Sequence, residues 1–225
     1  MQTYKNITII GTSHIAIESV KEVESEIRKI KPDIVAIELD RSRFLALFSK
    51  KRKISFRDIR KIGVKGYLFN LIGHYAESKL GKMVGVIPGS EMKKAVEIAK
   101  EIGAKTALID QDISITLKRL TKSLTFKEKL NFFVDLILSV FKREKIDFDL
   151  KKVPDKKIIE KLTKRFKKRY PSVYNVLVDE RNKYMGKNLY KLMLDYNNLV
   201  AVVGAGHEED LIKEIKIWES LEKRK

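Results

Sequence analysis

The chain has no cysteine among its 225 residues, which removes thiolate catalysis, thiolate metal ligation and any disulfide framework. A chain of this length buries roughly 70–75 % of the surface it exposes when unfolded, so neither a disulfide nor a structural metal is needed for stability. Long apolar runs are also lacking. Residues 130–141 come nearest, Asp135 interrupts them, and a membrane helix needs roughly 18–20 apolar residues. The opening Met1-Gln2-Thr3-Tyr4-Lys5-Asn6 has no basic start, apolar stretch or small-residue cleavage site of a secretory signal. With only 4 prolines and 11 glycines there is no low-complexity linker, and no internal repeat is seen. Aromatics are 8 % of the chain and nowhere form the aromatic-rich strands of an RNA-recognition sheet. These absences predict a single soluble, cytoplasmic domain over residues 1–225.

Charge is abundant and one-sided. The formal net charge is +18, and residues 118–170 hold 18 Lys/Arg against 7 Asp/Glu. A second basic cluster is Lys50-Lys51-Arg52-Lys53 with Arg57, Arg60 and Lys61. Such a surface attracts nucleic acid or an anionic membrane. It is also the ordinary solvated exterior of a Lys/Ile/Glu-rich protein, a reading favoured over both nucleic-acid and membrane attraction.

Hydrophobic periodicity orders the elements. Thr8-Ile9-Ile10 reads as a buried strand, apolar positions from Ile17 to Ile30 keep helical spacing, and Ile34-Val35-Ala36-Ile37 reads as a second strand. Strand, helix and strand within about thirty residues make a βαβ unit with parallel pairing. Residues 41–83 read as mainly helical with a charged break near 50–61. Ser90 is an N-cap candidate for a helix from Glu91 to Ile102, which Gly103 stops. Residues 106–109 and 199–203 supply two more strands, residues 114–196 a helical, cap-like stretch, and residues 207–221 a closing helix. The expectation is an α/β fold, a parallel or mixed sheet flanked by helices.

Each of the four strands runs into a polar group: His14, Glu38, Asp110 and His207. In open α/β sheets ligands bind outside the carboxyl ends of the strands, so parallel strands would bring these groups to one rim. Two imidazoles and two carboxylates suit a divalent metal or acid–base chemistry. Glu38 and Asp110 could instead cap the helices that follow them.

The histidines favour the functional alternative. There are three, His14, His74 and His207, and two of them follow a glycine by three residues: Gly11-Thr12-Ser13-His14 and Gly204-Ala205-Gly206-His207. With 11 glycines in 225 residues, two such coincidences among three histidines arise by accident about 0.7 % of the time. His74 sits in a helix-like stretch and reads as a surface or packing residue. Gly204-Ala205-Gly206 is only a fragment of a dinucleotide fingerprint and lies far from the first βαβ unit.

Gly11-Thr12-Ser13-His14, Pro32-Asp33-Ile34-Val35-Ala36-Ile37-Glu38-Leu39-Asp40 with Arg43, Pro88-Gly89-Ser90-Glu91, and Ile109-Asp110 with Ile115-Thr116-Leu117-Lys118-Arg119 resemble the TraB family (the TraB/PrgY/GumN group). So do Asp179-Glu180-Arg181-Asn182-Lys183-Tyr184-Met185 and Val202-Val203-Gly204-Ala205-Gly206-His207, and together these stretches cover nearly the whole chain in order. The resemblance implies a fold akin to erythromycin-esterase and ChaN-like domains. The related Tiki metalloproteases use paired Gly-x-x-His elements and an acidic residue, whereas PrgY-type members limit a peptide pheromone by cleaving or binding it. Activity does not transfer with the fold alone. Two departures stand out. Many relatives carry Asp-Arg where this chain has Asp110-Gln111, which implies one cation fewer, and archaeal-type relatives continue into C-terminal membrane segments.

On this basis the leading expectation is a metal-dependent hydrolase of peptides or proteins. His14 and His207 would hold a divalent ion such as Mn, Co or Zn, with Asp110 as a further ligand and Glu38 as ligand or base. Arg181, Glu91 and Arg119 would orient groups around it, and for Arg43 surface ion pairing is the favoured reading. The alternatives are a non-catalytic peptide-sequestering protein and a charge-driven binder of nucleic acid or of a membrane surface, the last as the soluble portion of a longer chain. If the basic surface is a solvated exterior, duplex DNA should bind without sequence preference. Filter binding should then show affinity falling by about 10³–10⁵ between 50 and 200 mM salt if 6–10 phosphates are neutralised. Sequence-selective binding that survives physiological salt would reverse that ranking.

Overall fold

The computed structural model describes residues 1–12, 17–49, 89–141 and 156–223. A five-stranded mixed sheet forms the centre, built from β1 (Gln2–Tyr4), β2 (Ile7–Thr12), β3 (Ile34–Ile37), β4 (Lys105–Leu108) and β5 (Leu199–Gly204), in the order β1-β2-β5-β3-β4. β2, β5, β3 and β4 run parallel, and only β1 is antiparallel, joined to β2 through the turn at Lys5-Asn6. The four expected strands therefore share one layer, and β1 is an addition that the short polar opening segment did not announce.

Strand β5 shows why the sheet is buried on both faces. Val200 and Val202 point to one side, with Ile10, Val35 and Ile37 and with α1 (Ile17–Ile30) and α3 (Ser90–Glu101). Leu199, Ala201 and Val203 point to the other, with Met185 and Leu189 of α8 (Glu180–Asp195) and Leu211 and Ile215 of α9 (Glu208–Glu222). Alternation sends successive side chains to opposite faces, so a strand covered twice reads as one continuous apolar run. Each isoleucine or leucine so enclosed contributes about 1.5–3 kcal/mol relative to exposure.

The remaining described helices are α2 (Arg41–Phe48), α4 (Ile113–Ser123), α5 (Phe126–Phe141), α6 (Lys156–Arg169) and the short α7 (Pro171–Tyr174). A π-helical turn, Asn175–Asp179, links α7 to α8. Most of residues 114–196 is thus helical where described, and its last helix, α8, lies against the sheet instead of capping it.

The helix starts differ from expectation in an informative way. Gly89, at φ 84°, takes the N-cap of α3, so Ser90 is already helical and its buried hydroxyl has no hydrogen-bond partner. Asp40 caps α2 by accepting from the Ser42 and Arg43 N–H groups at 2.7 and 3.1 Å, and Asp112 caps α4 through the Ser114 N–H at 2.7 Å. Each cap lies two residues beyond the strand-end carboxylate, so neither Glu38 nor Asp110 caps a helix.

Helices α8 and α9 touch closely at Gly186, where an added Cβ would fall 2.5 Å from Glu214 Cβ. Alanine would gain about 1 kcal/mol of helix propensity, but the helices would have to separate, and overpacking costs about 1–3 kcal/mol. Gly186→Ala should therefore lower the free energy of urea unfolding. A variant as stable as its parent would show that the two helices do not pack this closely.

Candidate functional site

The site is assembled where the parallel strands stop. Glu38 follows β3, and its N–H continues the ladder to the Val202 carbonyl at 3.1 Å. Its side chain then turns to β5, where Oε2 accepts the Gly204 N–H at 2.7 Å. A carboxylate thus takes the place of the next ladder carbonyl, which fixes it in a buried position.

Asp110, after β4, is equally enclosed. Its Oδ1 accepts from the Gln111 N–H at 2.7 Å and from Arg181 Nε at 3.0 Å, and its Oδ2 accepts from Arg181 Nη2 at 2.6 Å and from Arg43 Nη2. Arg181 Nη2 also donates to Glu38 Oε1, and Arg181 Nη1 to the Leu177 carbonyl at 3.1 Å in the π-helical turn. π-turns widen a helix locally and recur at functional sites. This one sets Arg181 over the strand ends at the start of α8. Burial opposes the Arg181 charge, but the Glu38 and Asp110 carboxylates outweigh it and hold the guanidinium well above its ordinary pKa. Arg43 is likewise raised: burial works against it, and Asp110 and Asp40 prevail over the repulsion from Arg181. Arg43 therefore does not make a surface pair, because it joins Asp40 at 2.6 Å to the fully buried Asp110 side chain. Although Gln111 follows Asp110, that carboxylate faces two cations, Arg43 and Arg181.

His207 occupies the N-cap position of α9 and is nearly buried. Its Nδ1 lies 2.6 Å from Asn182 Oδ1, and its Nε2 lies 3.4 Å from Glu38 Oε1. An amide oxygen only accepts, so Nδ1 carries a proton towards Asn182, and Nε2 is the ring nitrogen that faces the carboxylate. A nitrogen and an oxygen donor thus face one another across the distance that a shared cation or proton joins. Among the described residues the cluster has three carboxylates, Glu38, Asp40 and Asp110, against two guanidiniums, which also favours a cation. Glu38 and His207 fit a metal, with Asn182 orienting the imidazole from behind as outer groups do in metal sites. They are nevertheless only two donors. Among the described residues no group of three His, Cys, Asp or Glu is placed to hold an ion.

The structure thus brings together Glu38, Asp110, Arg181 and His207. Arg119 instead makes a bidentate pair with Glu180 on the exposed side of α4. Glu91 is buried in the first turn of α3, where the helix N-terminus favours a carboxylate. His14 and His74, with the basic cluster at residues 50–61, lie outside the described residues. Its partner strand end is described: Thr12 pairs with Gly204, and the Ala205 N–H donates to the Thr12 carbonyl at 2.8 Å. The two Gly-x-x-His elements therefore begin on adjacent strands. Gly11 is required because the second element crosses it, so that an added Cβ would meet Glu208 Oε2 at 2.6 Å and Ala205 Cα at 3.2 Å. Sequence reasoning assigned no role to Asn182 or Asp40. The signal was that both stand in the stretches that resemble the TraB family, Asp40 two residues after Glu38 and Asn182 directly after Arg181.

An uncharacterized protein, MJ1365, of Methanocaldococcus jannaschii is 40% identical over 218 residues, 96% of this chain and 54% of that protein. TraB domain-containing proteins of Bos taurus and Homo sapiens are 25% and 23% identical over 192 residues, 80% of this chain and 50% of each relative. The chain spans about half the length of the curated relatives it matches. The TraB/PrgY/gumN family matches residues 2–225, essentially end to end, and the chain belongs to that family.

Proposed function

We propose that this domain is a metal-dependent hydrolase of peptides, with its reaction centre at the carboxyl rim of β2, β5 and β3. The observation that carries the reading is the His207–Glu38 pair, a proton-directed imidazole and a fixed carboxylate 3.4 Å apart beside a second Gly-x-x-His element. His207, Glu38 and His14 would hold a divalent ion, which would supply Lewis acidity and lower the pKa of a water so that it could lose a proton and act as the nucleophile.

The protein's own groups do the rest. Asn182 orients the imidazole. The Gly204 N–H and Arg181 keep Glu38 oriented and anionic, and the 2.7 Å bond from Gly204 ties it to the strand that leads to His207. Asp110 is engaged by Arg43 and Arg181 and serves as their counter-ion, which leaves Glu38 as the carboxylate aimed at His207. Arg43, about a quarter exposed, is placed to orient a substrate carboxylate or carbonyl from the solvent side.

Metal analysis of the purified protein followed by a peptide-cleavage screen with the retained metal tests the reading. His14→Ala and His207→Ala should each abolish metal retention, because removing one of three ligands leaves too few. Glu38→Gln should weaken retention if Glu38 is a ligand, or spare it and stop turnover if it is the base. His74→Ala should change neither. Both alanine variants holding metal as the parent does would refute the scheme, and bound metal without cleavage of any peptide would favour sequestration instead.

The arginine bridge generates a separate expectation. Removing one partner of a buried ion pair costs about 3–5 kcal/mol, because the other charge stays buried and unpaired. Arg181→Ala should therefore lose stability of that order in denaturant unfolding, whereas Arg119→Ala, at an exposed and solvent-screened pair, should change it far less. Equal effects of the two substitutions would show that Arg181 does not bridge Glu38 and Asp110.

A further inference from the structure

Helix α5 is amphipathic the wrong way round for a helix of a water-exposed protein. At about 100° per residue, Glu128, Asn131 and Asp135 share one side, and this polar side faces the protein. Glu128 is buried and accepts from the Thr125 N–H at 2.9 Å and the Ser172 N–H at 2.7 Å, so it caps its own helix and α7 at once. Asp135 accepts from Arg169 Nε at 2.6 Å and the Tyr170 hydroxyl at 2.5 Å, and Asn131 Nδ2 donates to the Arg169 carbonyl at 3.3 Å. The apolar side faces out. Phe126 is 82% exposed, Leu130 53% and Phe133 59%, at the i, i+4, i+7 spacing of a single stripe.

Lys127 and Lys129 flank that stripe. Beside α5 stands α6, held to it by the Arg169–Asp135 pair, and residues 161–169 of α6 hold six Lys/Arg and no acidic residue. Leu162 and Phe166 add apolar surface among those charges, at 49% and 38% exposure. Phenylalanines presented to solvent with lysines at the margins and a strong positive field alongside are the features of a helix that lies in the headgroup region of an anionic bilayer. No helix among the described residues is long and apolar enough to cross a membrane, and α5 carries Lys127, Glu128, Lys129 and Asp135. Its geometry is in-plane.

We propose that the α5–α6 face docks on an anionic phospholipid surface, with Phe126, Leu130 and Phe133 entering the acyl boundary and the lysines of both helices contacting headgroups. Duplex DNA would satisfy the charge but leave the phenylalanines unexplained, and a second copy of this strongly basic face would meet like charge.

The experiment is co-sedimentation of the full chain with vesicles of phosphatidylglycerol and phosphatidylcholine in equal parts, against phosphatidylcholine alone. Binding should require the anionic lipid. Phe126→Ser and Phe133→Ser lie on an exposed surface and should leave the circular dichroism spectrum unchanged, while each lowers vesicle affinity on the order of tenfold. Phe133→Trp should be quenched by brominated lipid, whereas the parent, whose one tryptophan Trp218 lies on α9, should not. Equal binding to neutral vesicles, undiminished binding of both serine variants, or an unquenched Phe133→Trp would overturn the proposal. So would a dimer in sedimentation velocity that the serine variants dissociate and vesicles do not disrupt.

Discussion

One guanidinium ties the rim of this sheet together. Arg181 contacts Glu38 after β3, Asp110 after β4 and a backbone carbonyl of the π-helical turn before it, so three separate segments depend on a single side chain. Its charge is maintained against burial only because two carboxylates face it, and their charges are tolerable only because it is there. The arrangement is mutual, and its loss would remove a large share of the roughly 5–15 kcal/mol that stabilises a typical domain.

The same bridge divides labour between the two acidic groups. Asp110 takes Arg43 as well as Arg181 and is spent on holding them. Glu38 shares one oxygen with Arg181 and gives the other to the Gly204 N–H, which fastens it to the strand from which the second Gly-x-x-His element departs. The helix caps make this possible. With Asp40 and Asp112 serving α2 and α4, the strand-end carboxylates need not satisfy helix N–H groups and can turn to cations. Away from the rim, α5 turns its acidic side chains inward and its phenylalanines outward, so the two functional proposals rest on separate parts of the molecule.

Much of the fold was legible in the chain itself. Apolar runs bounded by glycine or proline located the four parallel strands: β2, β3 and β5 are buried and have no reason to alternate, whereas β4, largely exposed at the sheet edge, is marked by the Gly103 stop before it. Strand β1 was not legible: an exposed threonine between half-buried Gln2 and Tyr4 is too short a run to carry a pattern, and it pairs only because β2 is already in place. The candidate site was legible as residue types at strand ends and as a repeated Gly-x-x-His spacing. Its wiring was not, since Arg43 on its own reads as a surface cation.

By itself, then, the sequence determined that Glu38, Asp110 and His207 follow the strand ends, through the apolar strand runs and the turn glycines, and it determined the family. The tertiary structure alone decided which carboxylate meets which arginine, which imidazole nitrogen faces the carboxylate, and which side of α5 meets solvent. The physical reason is range. Periodicity and capping are local properties that a few neighbouring residues specify. The partners of a buried charge come from segments more than a hundred residues apart, as Arg181 and Glu38 do, and are settled only when the sheet register brings them together.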